Sequence, residues 1–337
     1  MQQRPRARLA FLVVVALVFA CSQPARPPRF DTGFRGPGRL VVIFEPADPE
    51  SPRALVVHDA SGARELPVEG PRAARWLSDD ELLVSREAAS DEPYGLPLTE
   101  LLRVDAEDGS ATPIAEPARW FDAEPDPRGE RVAVGREVDD QGESDLLVLA
   151  LADPAAKPLA GRSQPLDRPR WSPDGASLVV LQTLVDPDGE DSESGLSFGG
   201  QSVAWPRLFR APADLLGALT LLHDGNAGES LAPGGSLPLF WSARGIFARQ
   251  RRGLVRCDPA GTGCTLVFAP PERRRVVDAR PAGGDSALVL VRDHSADAEL
   301  DLPRELHRVA LEDGRSELLY TAPQGVYLAE IDWVDAR

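Results

Sequence analysis

Three short stretches of the 337-residue chain carry residue types whose spacing could do chemistry. Gly195-Leu196-Ser197-Phe198-Gly199 matches the G-x-S-x-G pattern, in which a serine is presented as a nucleophile on a strained turn. That chemistry needs a strand before the motif and a helix after it. Neither is legible here, and His58, His223, His294 and His307 stand in no triad context, so no catalytic residue is assigned. Asp186-Pro187-Asp188-Gly189-Glu190-Asp191 sets carboxylates at alternating positions around a glycine, as calcium loops do. Asp186, Asp188 and Asp191 are thus candidate calcium ligands, although the bidentate glutamate of an EF-hand does not follow. No other cofactor is expected. Cys257 and Cys264 flank the loop DPAGTG between the apolar runs LVR and TLVF. At the two mouths of a hairpin they lie within reach of a disulfide, which an oxidising compartment would close, leaving two free thiols as the other outcome. The histidines form no zinc-ligand spacing with these cysteines.

Residues 1–20 read as a signal peptide. Arg4, Arg6 and Arg8 precede an apolar run from Leu9 to Ala20, too short to span a bilayer. The ending Val18-Phe19-Ala20-Cys21 resembles a bacterial lipobox, which implies cleavage before Cys21 and a diacyl lipid on its sulfur. An ordinary secretion signal cut near Ala20 is the alternative, and both take the chain out of the cytoplasm. Ser22 after the cysteine implies, by the same resemblance, an outer-membrane anchor facing the periplasm or the cell surface. Residues 21–38, rich in Pro, Gly and Arg, form a tether with a reach on the order of 50 Å.

The formal charge of −16 becomes −19 once residues 1–20, with three arginines and no acid, are removed. Nucleic acid is excluded as a partner, because its binding depends on neutralising phosphates with basic side chains.

The elements that must position any site come from a repeat. RPRWSPDGASLVVLQ, residues 168–182, reads as strand, turn and strand, with Pro at the first corner and Gly after Asp as a type I hairpin requires. ARWLSDDELLVSRE (74–87) and LFWSARGIFARQ (239–250) repeat it. AEPDPRGERVAVGRE (123–137) and DARPAGGDSALVLV (278–291) keep turn and strand, with Pro125 and Arg280 in the tryptophan's place. A second hairpin follows each copy, giving four strands in about 40–55 residues, the period of a propeller blade. The WSPDG unit resembles the TolB-like propeller repeat from Gly38 to the C-terminus. The resemblance implies an all-β fold, a single β-propeller over residues 39–337, but it does not carry TolB's partners, because the amino-terminal domain of TolB has no counterpart here. Six blades are expected, the first closed by pairing the N-terminal strand with VYLAEIDWV (326–334). Seven is the alternative, since the interval from Trp171 to Trp241 is long, although VDPDGEDSESGLSFGGQS reads as an insertion.

In this register the connections between second and third strands share one face. Most are acid-rich, and Asp139, Asp140, Asp186, Asp188, Glu190, Asp191, Asp297 and Glu299 are the candidate binding residues, unless that acidity is only solvation. Blade five departs from this pattern with Arg249, Arg251 and Arg252. Trp76, Trp171, Trp241 and Trp333 are expected between blades. Two functions remain. One is a non-catalytic, lipid-anchored envelope propeller that binds a protein or other envelope component through the acidic face. The other is a hydrolase or lyase at the central channel, for which convergent His, Asp and Arg would be needed, and the scarcity of histidine favours binding.

Overall fold

Strand β13 (Ser177–Gln182) reads SLVVLQ, and its apolar run divides cleanly between two interfaces. Leu178 and Val180 pack toward the preceding blade, while Val179 and Leu181 pack toward the following one. Successive side chains of a strand point to opposite faces, so a strand covered on both faces must be apolar at every position. The computed structural model describes residues 38–88, 98–138, 144–152, 158–163, 166–182, 197–198, 201–202, 207–223, 237–250, 253–260, 263–283, 285–293 and 303–335. Among these, every regular element is a strand.

The chain opens with β1 (Gly38–Pro46), β2 (Ala54–Asp59) and β3 (Gly62–Leu66). Blade two follows as β4 (Pro71–Trp76), β5 (Glu81–Glu87), β6 (Thr99–Asp105) and β7 (Ala111–Pro113). Blade three is β8 (Trp120–Pro125), β9 (Arg131–Glu137), β10 (Ser144–Ala150) and β11 (Ala160–Ser163). Blade four holds β12 (Leu166–Trp171), β13, β16 (Arg207–Pro212) and β17 (Thr220–His223), with the small hairpin of β14 (Ser197–Phe198) and β15 (Gln201–Ser202) inserted. Blade five is β18 (Leu237–Ser242), β19 (Gly245–Gln250), β20 (Gly253–Cys257) and β21 (Cys264–Phe268). Blade six is β22 (Arg274–Pro281), β23 (Ser286–Asp293), β24 (Glu305–Ala310) and β25 (Ser316–Thr321). The last strand, β26 (Val326–Asp335), pairs antiparallel with β1 and completes blade one in the order β26-β1-β2-β3. Six four-stranded blades result, and because β13 pairs directly with β16, the long interval is an insertion rather than a seventh blade.

Six apolar clusters hold the ring, one at each blade interface. At the closing seam Leu40, Val42 and Phe44 face blade six, while Val41 and Ile43 face blade two. Leu40 lies opposite Trp333, as the head-to-tail reading requires. Gly38 is confined there, since a Cβ would stand 2.2 Å from the Trp333 ring. The closure covers the inner edge of β1 with β26, so blade one has the same four-stranded order as the other five.

The turn that defines the repeat forms as its residues dictate. Ser172 N–H donates to the Ser177 carbonyl at 2.8 Å, and Gly175 N–H to the Ser172 carbonyl at 2.8 Å. Gly175 sits at φ 69°, a left-handed conformation that glycine adopts without steric strain. The equivalent bond in blade six runs from Ala282 to Ser286, so Pro281 and not Arg280 occupies the tryptophan position there. The sequence alignment of that blade was displaced by one residue. Its turn is shorter than SPDG, and no tryptophan was present to anchor the register.

Candidate functional site

In the corrected register one residue per blade becomes equivalent, the residue immediately before the Trp or Pro at or near the end of the innermost strand. These are Arg75, Glu124, Arg170, Phe240, Arg280 and, in blade one, Asp332. The tryptophans turn toward the preceding blade: Trp76 joins the blade one–two cluster, Trp171 the three–four cluster and Trp241 the four–five cluster. Alternation then aims the residue before each one at the following blade. Arg170 Nε accordingly donates to the Leu239 carbonyl of blade five at 2.6 Å. Asp332 Oδ2 accepts from Trp76 N–H of blade two at 2.8 Å.

The charged members converge on the axis. Glu124 lies 3.3 Å from Arg170, 3.6 Å from Arg75 and 3.1 Å from Arg280. Arg280 Nη1 donates to both Glu124 oxygens, at 3.2 and 3.1 Å, from the blade directly across the ring. Arg75 also meets Glu330 at 2.7 Å, and Arg280 lies 3.6 Å from Asp278. Three arginines and four carboxylates thus share a small volume, and Arg280 is only 2 % exposed. Burying such charges is tolerable only when each is paired.

The ionisation of these groups reflects that balance. Burial would lower the Arg75 pKa, but Glu330, Glu124, Asp278 and Asp332 reverse this and leave it raised. Arg280 is raised in the same way, with Glu124, Asp278 and Asp332 overcoming burial and Arg75. Arg170 is lowered to about 10, because burial and its two arginine neighbours outweigh Glu124. Burial would raise Asp278, yet Arg280, Arg75 and Arg170 hold it below its ordinary value. Asp332 is raised, since burial exceeds the help from Arg280, Arg75 and the Trp76 amide.

Each innermost strand is also irregular in its pairing with the second strand, at Ala329, Arg72, residues 122–123, residues 168–169, Leu239 and Val277. Asp122 and Arg168 have positive φ, 51° and 50°, and Arg168 N–H donates to Asp122 Oδ2 at 3.2 Å. Bulges re-aim side chains. Here they lie on the side of the axial cluster where the innermost strands begin, the strand-start face.

The acidic residues expected on that face, Asp139, Asp140, Asp186, Asp188, Glu190, Asp191, Asp297 and Glu299, lie outside the described residues, as do Cys21, Arg251 and Arg252. Five described carboxylates beside the same connections are paired with arginine: Glu45 with Arg53, Glu87 with Arg72, Glu100 with Arg86, Asp145 with Arg136 and Glu305 with Arg274, at 2.6–2.9 Å. Blades one and two also enclose a cavity of about 330 Å³ there, lined by Glu45, Asp48, Arg53, Arg72 and Glu87 among others. Ser197 of the G-x-S-x-G match lies in β14, paired with Ser202 of a hairpin, which is not a strand-to-helix elbow. Cys257 and Cys264 stand directly opposite in β20 and β21 and are joined by a disulfide. The sequence reading missed the axial set. Its signal was the residue preceding each Trp or Pro in RW, EP, RW, FW, RP and DW.

These features define a closed six-bladed β-propeller whose channel is bridged by charge. The class can be narrowed to a TolB-like propeller by likeness to solved structures. A putative TolB from Agrobacterium tumefaciens matches with a TM-score of 0.54 at 16 % identity, over 89 % of this chain and all of that one. TolB from Acinetobacter baumannii matches at 0.55 and 15 %, over 90 % of this chain and 68 % of the other. The propeller domain of the Trilobed protease from Pyrococcus furiosus matches at 0.50 and 13 %, over 87 % and 95 %, and is described as having an open velcro topology, whereas β26 closes this ring onto β1. At such identities the likeness speaks for the fold. No protein-family model and no curated protein matches the chain.

Proposed function

We propose that the chain is a cell-envelope binding propeller, held at a membrane by lipid on Cys21, that receives a protein partner on its strand-start face. The observation that carries this reading is the mutual consumption of the axial charges. Glu124 is saturated by Arg75, Arg170 and Arg280, and the Arg280–Glu124 bridge spans the ring. A channel enzyme would present such groups to a substrate, whereas here they bind one another. The binding capacity then falls to the loops, including the acidic connections at Asp139, Asp140, Asp186, Asp188, Glu190, Asp191, Asp297 and Glu299. The TolB-like fold supports the same reading by analogy.

Site-specific photo-cross-linking in cells tests this. Probes at Pro49 and Glu87 sit on the strand-start face, and probes at Glu107 and Asp313 sit on the opposite, turn-bearing face. A discrete protein adduct is expected from the first pair alone. Adducts only from the second pair, or from neither, contradict the reading. Intact mass of the membrane fraction tests the anchor: a mature chain with unmodified Cys21 removes it.

A further inference from the structure

Beyond the bridged waist of the channel, the strand-start mouth gathers four arginines. Arg168 stands two residues before Arg170 on β12, at the positive-φ bulge. Arg275, the second residue of β22, lies directly opposite Arg292 of β23. Arg249, near the end of β19, reaches across to blade six, where its Nη1 donates to the Val277 carbonyl at 3.4 Å. All four are only partly buried and so remain reachable from solvent. Like charges directly opposite on a sheet are unfavourable. Their gathering is notable in a chain of net charge −16. Burial, Arg168, Arg292 and Arg275 lower the Arg249 pKa to about 10 against the opposing charge of Asp278.

We infer that this mouth is a carboxylate-binding site, in which Arg168, Arg249, Arg275 and Arg292 receive the free C-terminal or side-chain carboxylate of a partner's peptide segment. The inference rests on the binding reading above and names the chemistry that the partner presents. Planar guanidinium groups match a carboxylate bidentately. An extended polyanion is disfavoured, because the overall negative charge repels it, Asp122 accepts from Arg168 N–H and Asp278 acts on Arg249. A single carboxylate entering end-on meets the four arginines before it meets the waist, where Arg280 and Glu124 stop it.

The test uses the full-length mature protein in detergent with citrate as probe, at ionic strength held constant with chloride. Citrate should raise the melting midpoint saturably, as a ligand of the folded state does. Arg249→Gln and Arg275→Gln should each weaken that binding at least tenfold, while Arg315→Gln on the turn-bearing face leaves it unchanged. Either variant alone suffices, so a folding failure in one leaves the other to decide. A rise that never saturates, or that persists in the variants, overturns the inference. Inorganic phosphate binding as tightly as citrate would reassign the mouth to phosphate groups and overturn it as stated. If cross-links form on the strand-start face but citrate does not bind, the carboxylate site alone is wrong. Citrate binding without cross-links would instead remove the partner.

Discussion

At the strand-start rim of blade two, Arg72 of the innermost strand β4 and Glu87 of β5 meet at 2.6 Å with 42 % and 52 % of their side chains exposed. At the axis Glu124 is held by Arg75, Arg170 and Arg280, of which the most exposed shows 8 %. The residue types and distances are similar, yet the energetics are not. An exposed pair is stabilised little, because water screens it and two long side chains must be ordered. A buried cluster offsets its desolvation only while it is complete, so removing one member leaves charges uncompensated in a poor dielectric. Burial, which differs sharply between Arg72 and Arg75 on the same strand, decides what an ion pair does here.

The comparison breaks most readily at Glu124. Glu124→Ala should lower stability by about 3–5 kcal/mol, because three buried arginines lose their common counter-charge. Urea unfolding measures it, and a loss below about 1 kcal/mol would place the axial set with the rim. An intermediate case lies at the outer strands of blade five, where the Cys257–Cys264 bond closes a loop of sequence separation 7. Cys257→Ser with Cys264→Ser should lower stability by roughly 2–3 kcal/mol, less than the axial change, in the same measurement.

Asp332 sharpens the comparison through pH. Its folded pKa lies above the unfolded value, so it favours the fold in acid, and that contribution is lost as pH rises through the raised pKa. Asp278 has the opposite sign: its contribution is present at neutral pH and is lost as pH falls through the lowered pKa. Asp332→Asn, whose amide oxygen can still accept from Trp76 N–H, should therefore leave stability unchanged or slightly higher at neutral pH. Any gain should disappear in mild acid, as urea midpoints at the two pH values would reveal. The smallest effect belongs to the rim, where Glu87→Ala should change stability by less than about 0.5 kcal/mol.

The fold was largely legible because one local pattern repeats along the chain and its two incomplete copies, at the ends, complete each other. Ser172-Pro173-Asp174-Gly175 specifies a turn, the alternating apolar runs specify doubly covered strands, and Trp333 with Leu40–Phe44 specifies the closure. The axial cluster was not legible, because its contacts join residues far apart in the chain. Glu124 and Arg280 are 156 positions apart, and each resembles an ordinary strand charge in its own blade. The misplacement of Arg280 by one residue hid the equivalence with Arg75 and Arg170. The acidic-face residues lie outside the described ones, while Arg53, Arg86 and Arg136 at the neighbouring strand ends pair with Glu45, Glu100 and Asp145.

The central claim is that the axial charges act as one mutually paired unit. A double-mutant cycle between Glu124 and Arg280, using Glu124→Ala, Arg280→Ala and the double variant in urea unfolding, tests it most directly. The account predicts that the double variant loses less than the sum of the singles, with a coupling of about 2 kcal/mol. Losses that add to within about 0.5 kcal/mol would contradict it.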